Sequence, residues 1–448
     1  MSRLVIVSNR VPAARDRAQL AGGLAIALRD AIAERETLWF GWSGNEAATE
    51  TSARPTLSRT GRVGYATIDL APAAFDGFYR GFSNTMLWPL LHNRVGLAEF
   101  KREDLAAYLQ VNESFATALA PLLQPDDTVW VHDYHLFPLG ASLRRLHVRN
   151  RIGFFLHVPF PPPAIYASLP QGDFLLRALG EYDVIGLQTE QDAGFLNEAL
   201  AQAGVKARAT AFPIGIDPEA FAAAARRSAA SAESRRLRDS LAGRALILGV
   251  DRLDYSKGLP LRFLGFERLL KRFPEHRNHV TLLQVAPVSR ADVEQYQSLR
   301  KELDELAGRI NGEHAEFDWV PLRYITRTLP RTTLAGFHRY ARVGLVTPLR
   351  DGMNLVAKEY VAAQDPASPG ALVLSCFAGA AHDMQGAILV NPYDPDETAE
   401  ALHQALTMEE EERRSRWRTM WTAVTRHTAR SWARNFLAAL EGREARAA

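Results

Sequence analysis

Short apolar runs alternate with amphipathic helical stretches along this chain, the pattern of parallel sheets covered by helices. Residues 4–7, 128–131, 151–156 and 184–187 predict strands of a first half, and residues 244–250, 280–285, 343–346 and 372–375 predict those of a second. The runs are nearly continuous in apolar residues rather than alternating, as expected where both faces of a sheet are buried. Between the halves, Phe212-Pro213-Ile214-Gly215-Ile216-Asp217-Pro218 reads as a connector punctuated by proline and glycine. An Ala/Arg/Ser-rich helix is expected from about residue 219 to 241, and a strongly charged helical stretch over 409–441. The expected organisation is therefore an α/β domain over 1–217, a second over 218–425, and a C-terminal helix within 426–448 that packs back on the first.

Two of these strands lead into residues with the chemistry of a sugar-diphosphate site. After the strand at 343–346 comes Thr347-Pro348-Leu349-Arg350-Asp351-Gly352-Met353-Asn354-Leu355-Val356, then helix-forming residues through Lys358, Glu359 and Tyr360. Glycine at 352 lets backbone approach a ligand, and a helix starting there aims free N–H groups at an anion. Asp351 can accept from sugar hydroxyls and Glu359 from the vicinal hydroxyls of a ribose. After the strand at 244–250, Asp251-Arg252-Leu253-Asp254-Tyr255-Ser256-Lys257-Gly258 places two cations, Arg252 and Lys257, at the carboxyl end of a parallel strand. Open α/β sheets bind ligands there, and the two charges suit a diphosphate.

The bulk composition narrows the classes. The 448 residues suffice for two α/β cores, and a net charge of +2 argues against a nucleic-acid or anionic-membrane partner. One cysteine, Cys376, rules out an intrachain disulfide framework and is expected to be a small buried residue of the strand running to 376. The apolar run at the amino terminus is too short for a signal peptide, and no run approaches the ~20 residues of a membrane span. A cytoplasmic protein is expected. His132 and His135, three apart after a strand, suggest structure and ligand contacts more than zinc, and no metal or cofactor is expected.

Further segments carry a resemblance. Ser8-Asn9-Arg10, Gly22-Gly23-Leu24, Trp39-Phe40-Gly41-Trp42, Phe82-Ser83-Asn84 with Leu87-Trp88-Pro89, and His132-Asp133-Tyr134-His135 occur in that order. They are followed by Phe154 through Pro161, Phe212 through Asp217, Asp251 through Gly258 and Thr347 through Tyr360. Over almost its whole length the chain resembles the trehalose-6-phosphate synthases. That family implies a retaining, metal-independent GT-B glycosyltransferase, with two Rossmann-like domains facing each other across a cleft. It implies transfer of glucose from a nucleotide donor, UDP-glucose foremost, to glucose 6-phosphate through an α,α-1,1 bond.

Position by position, the resemblance implies that Arg10, Gly22, Gly23, Tyr79, Trp88, Asp133 and Arg290 bind the acceptor. It places His157 by the reacting carbon of the donor sugar, with Gly23 also on the donor side. Arg252 and Lys257 neutralise the diphosphate, Asp351 and Gly352 hold the glucose, backbone around Met353, Asn354, Leu355 and Val356 completes the clamp, and Glu359 holds the ribose. Arg252, Lys257, His157 and Asp351 form the catalytic set.

The chain departs from the family at Asn93, where members commonly carry tyrosine, at Arg342, and in a shorter stretch over 204–211. A glucosylglycerol-phosphate synthase using glycerol 3-phosphate and a catalytically silent sugar-phosphate sensor are the alternatives. A separate trehalose-6-phosphate phosphatase is expected to follow in the pathway, and a homo-oligomer is compatible with the sequence. A dinucleotide oxidoreductase is disfavoured, because no Gly-x-Gly-x-x-Gly follows the first strand.

Overall fold

The computed structural model describes residues 3–12, 28, 35–48, 51, 54–289 and 293–442. Two compact units result, one made of Met1–Ile214 with Ala429–Ala448 and the other of Gly215–Thr428.

The first unit is built on β1 (Leu4–Arg10), β2 (Thr37–Glu46), β3 (Thr56–Thr60), β4 (Val63–Leu70), β5 (Thr128–His132), β6 (Arg151–Phe155), β7 (Val184–Leu187) and β8 (Ala209–Ala211). Their order is β3-β4-β2-β1-β5-β6-β7-β8, parallel throughout except for the β3–β4 pair. The chain leaves β1 in one direction to β2 and in the other to β5, so the topological switch point lies between β1 and β5.

The helix Ala429–Leu440 closes one face of this sheet. Its Phe436 stacks on Trp130 with ring centroids 4.7 Å apart, and its Trp432 meets Phe155 edge-on at 5.1 Å. Glycines on the strands admit it: a Cβ at Gly153 or Gly186 would lie 2.8 Å from the Phe436 ring.

The second unit carries β9 (Ala245–Val250), β10 (Val280–Val285), β11 (Leu322–Ile325), β12 (Val343–Val346), β13 (Ala371–Ser375) and β14 (Ile388–Val390). All are parallel in the order β11-β10-β9-β12-β13-β14, with the switch point between β9 and β12. The helix Leu259–Arg272 buries Leu259, Phe263, Phe266, Leu269 and Leu270 in the core of this unit. The chain enters and leaves the unit side by side. Ile216 bridges Thr428, and a Cβ on Gly215 would come within 1.7 Å of the His427 carbonyl oxygen, so only glycine fits there.

Several expectations need correction. The stretch after the connector is two helices, Pro218–Ala229 and Ala232–Leu241, because Ser231 stops the first and N-caps the second by accepting from Ser234 N–H. The late charged stretch is likewise divided into Glu410–Arg426 and Ala429–Leu440, which lie in different units. Cys376 is exposed just past β13 rather than buried within it. The helix after Gly352 starts only at Leu355. Strands β2, β3, β4, β8, β11 and β14 were not anticipated as strands. β3 is fully exposed and β8 and β14 have three residues each, leaving little apolar signal. Gly22, Gly23 and Arg290 lie outside the described residues.

Candidate active site

In the first unit, the carboxyl ends of adjacent parallel strands gather the residues of interest. Arg10 ends β1, and its guanidinium lies over the Trp42 ring of β2 at 5.5 Å. Gly44 makes that placement possible: it has φ +93°, and a Cβ there would lie 2.6 Å from an Arg10 nitrogen. Asp133 follows β5 with φ 76° and ψ 164°, a conformation costly for a non-glycine residue. Its N–H donates to the Phe155 carbonyl at 2.8 Å, and its Oδ1 accepts from the His157 N–H at 3.2 Å. These bonds join the ends of β5 and β6.

His157 follows β6. Its Nε2 lies 3.0 Å from Nδ1 of His132, and its Nδ1 is 3.5 Å from Nε2 of Gln188, just past β7. Burial pushes the His157 imidazole down to about 3, and burial with the neighbouring His157 ring holds His132 well below the ordinary histidine value. Both rings are neutral at physiological pH.

Tyr79 sits on a π-helical stretch, Asp76–Leu87, and stacks between Phe75 at 5.2 Å and His135 at 5.7 Å. The wide turns rest on the helix Arg102–Leu119 through two glycines. A Cβ on Gly77 would meet the Ala107 methyl at 2.6 Å, and one on Gly81 the Asp104 carboxyl carbon at 2.4 Å. Trp88 is only 4% exposed and packs against His92 and Tyr134, so it lies beneath the surface rather than presenting a face outward. Asn93 has φ +58° just beyond the short helix Trp88–Leu91, a left-handed position that suits asparagine better than tyrosine. His135 packs on Tyr79 and Tyr134, with ring centroids 5.7 and 4.0 Å apart.

In the second unit, the loops after β9 and β12 flank the switch point. Lys257 Nζ lies 2.5 Å from Asp351 Oδ2, and Asn354 Nδ2 donates to the same oxygen at 3.0 Å. Asn354, at φ 76°, caps the helix Leu355–Ala363 by accepting from Ala357 N–H at 3.2 Å. The Leu355 and Val356 N–H groups, one and two positions into the helix, have no intrahelical acceptor and carry the positive end of its dipole. The Asp351–Met353 turn is strapped to the next loop, with Asp351 N–H donating to the Phe377 carbonyl, Gly379 N–H to that of Asp351 and Ala380 N–H to that of Met353. Arg252 is half exposed, 3.9 Å from the fully buried Asp254 carboxylate. Glu359 accepts from Nε and Nη2 of Arg331 at 3.1 and 2.9 Å, while burial raises its carboxyl above the usual range against the pull of that arginine.

Behind these loops lies a buried polar scaffold that sequence reading missed. Arg262 donates to Asp251 Oδ2 at 2.5 Å, to Gln284 Oε1 at 2.9 Å and to Thr347 Oγ1 at 2.9 Å, tying together the ends of β9, β10 and β12. Gly249 leaves room for it, since a Cβ would lie 2.3 Å from the Gln284 oxygen. Asp254 accepts from the N–H and hydroxyl of Ser256 and from the Tyr296 hydroxyl, which fixes the turn presenting Lys257. On the following helix, buried Lys358 reaches Asp383, which also meets His427 Nδ1 at 3.0 Å. Arg262 sits in the first turn of the helix Leu259–Arg272 among apolar neighbours, and that anomaly was the available signal.

Among the described residues, two groups could hold a metal ion, Glu275 with His276 and His403, and Glu267 with Glu313 and His314. Neither includes a residue of the two strand-end clusters. No helix among the described residues is long and apolar enough to cross a membrane.

Comparison with known proteins places this geometry. Residues 2–442 match glycosyltransferase family 20. A Sinorhizobium fredii protein named trehalose-6-phosphate synthase is 47% identical over 454 residues, spanning 98% of each chain. The solved structure of an α,α-trehalose-phosphate synthase (UDP-forming) from Burkholderia vietnamiensis superposes with a TM-score of 0.96 at 46% identity, over 99% of each chain. One from Burkholderia xenovorans in complex with glucose 6-phosphate gives 0.95 at 44%, covering 98% of this chain and 100% of that one. Trehalose-6-phosphate synthase from Escherichia coli bound with UDP-2-fluoro glucose gives 0.92 at 44%, covering 98% and 99%.

Proposed function

The chain belongs to glycosyltransferase family 20, and from that membership we propose that it transfers glucose from UDP-glucose to glucose 6-phosphate with retention, giving α,α-trehalose 6-phosphate and UDP. The two parallel-sheet α/β units match the GT-B type of the solved relatives. Those relatives include structures holding glucose 6-phosphate and a UDP-glucose analogue, which supports this choice of substrates.

The observation that carries the proposal is the Lys257–Asp351 pair at the switch point beside the open N-terminus of Leu355–Ala363. Arg252, Lys257 and the Leu355 and Val356 N–H groups would hold the donor diphosphate, with Asp351 on the glucose hydroxyls and Glu359 on the ribose. Arg10, Tyr79, Asp133 and Arg290, with Gly22 and Gly23, would serve the acceptor, and His157 the transferred sugar. Trp88 would act from beneath, by shaping the acceptor wall.

In the proposed step, the bond from the sugar's anomeric carbon to the β-phosphate oxygen breaks while the acceptor's O1 attacks from the same face. The O1 proton passes to the leaving phosphate oxygen. No carboxylate is needed as nucleophile, in contrast to a retaining glycosidase. Arg252 and Lys257 stabilise charge developing on the diphosphate, electrostatic work for which no metal ion is invoked. A separate phosphatase would release trehalose.

The test is a product assay on the purified chain without added metal, pairing UDP-, GDP- and ADP-glucose with glucose 6-phosphate and glycerol 3-phosphate. Trehalose 6-phosphate formed fastest from UDP-glucose is expected. Turnover with glycerol 3-phosphate alone would reassign the acceptor, and no turnover with any pair would leave a sugar-phosphate sensor.

A further inference from the structure

Both ring nitrogens of His157 face protein groups, and one backbone bond determines which of them carries the proton. Ile214 N–H donates to Gln188 Oε1 at 3.0 Å in a buried contact. With its oxygen committed, the Gln188 amide can turn only its NH₂ toward His157 Nδ1, 3.5 Å away. An NH₂ group donates and never accepts, so Nδ1 must carry a lone pair and the neutral ring must hold its proton on Nε2. That N–H then donates to His132 Nδ1 at 3.0 Å, and His132 in turn holds its proton on Nε2, which is buried without a partner among the described residues. The opposite tautomer would set an N–H against the amide NH₂, and an imidazolium would do the same.

We infer that Gln188 is a positioning residue that fixes His157 as the Nε2–H tautomer, leaving Nδ1 as a neutral acceptor for one hydroxyl of the transferred sugar. The inference rests on the proposed placement of His157 by that sugar. At 3.5 Å the amide contact is long, so a sugar hydroxyl can compete for the same lone pair. A neutral acceptor also recognises a hydroxyl without adding negative charge beside a substrate that carries a diphosphate. The group that anchors the arrangement belongs to Ile214, the residue of the connector at which the chain leaves the first unit.

The decisive measurement is long-range ¹H–¹⁵N correlation on the full chain labelled with ¹⁵N-histidine, with His157 assigned by comparison to His157→Gln. The wild type should show a pyridine-type Nδ1 and a pyrrole-type Nε2. Gln188→Glu, whose carboxylate only accepts, should reverse the pattern, and Gln188→Leu should release it. In kinetics, Gln188→Glu should lower kcat/KM for UDP-glucose by tenfold or more. One monodeoxy UDP-glucose, lacking the contacted hydroxyl, should be turned over equally by wild type and variant. A wild-type Nδ1–H, or a Gln188→Glu variant with unchanged tautomer and rate, would overturn the inference. The spectrum of the free protein needs no turnover, so it separates this failure from failure of the proposed reaction.

Discussion

Lys257 and Asp351, 94 positions apart in sequence, form a contact of 2.5 Å that joins the loops after β9 and β12 across the switch point of the second sheet. A donor diphosphate would draw Lys257 toward phosphate oxygens and free the Asp351 carboxylate for sugar hydroxyls. Lys257→Ala is therefore expected to lower kcat by about 10²–10³, the scale of a lost oxyanion donor. Steady-state kinetics with both substrates varied should show the acceptor KM changing far less.

Arg262 is expected to matter for stability rather than for contact with substrate. Arg262→Leu leaves Asp251 buried without its cation, and removing one partner of such a pair costs about 3–5 kcal/mol. Urea unfolding should show that loss, and a change below about 1 kcal/mol would mean the network is not the support described.

Gly44→Ala tests the acceptor side. The added Cβ would meet the Arg10 guanidinium at 2.6 Å in a backbone conformation that alanine resists. The KM for glucose 6-phosphate should rise at least several-fold while the KM for UDP-glucose stays near wild type. Equal shifts in both would argue against Arg10 as an acceptor ligand.

Acid should destabilise the fold through its buried histidines. Burial lowers His338, only 2% exposed, from 6.5 to about 4. Below the unfolded value of 6.5 the unfolded chain binds more protons than the folded one, so stability falls as pH drops and keeps falling until about pH 4. At pH 5 this histidine alone should account for roughly 2 kcal/mol of lost stability relative to pH 7. His338→Phe, which keeps an aromatic ring beside Tyr360, should narrow the difference between those two pH values by about that amount in urea titrations.

The strands nearest the two switch points were legible because β1, β5, β6, β9, β10 and β12 are dense apolar runs that lead into the residues proposed for the site. The residues around Lys257 and Asp351 could be read for the same reason, since glycine, charge and a strand end coincide there. The edge strands β3 and β14 were not, because one is wholly exposed and the other has three residues. The supporting contacts were hidden for another reason. Arg262 with Gln284, Glu359 with Arg331, and Gln188 with Ile214 are pairings created by the fold between distant residues, and no local spacing announces them. The long π-helical stretch under Tyr79 was equally silent, because its wide turns depend on how Gly77 and Gly81 settle against another helix.

The central claim is glucosyl transfer to glucose 6-phosphate with retention. Following UDP-glucose and glucose 6-phosphate with the purified chain by proton NMR tests it in one reaction. The account predicts a non-reducing disaccharide phosphate with both anomeric centres α, formed as UDP appears and lost in Arg252→Ala. A β-linked product, or UDP released without any disaccharide, would contradict it.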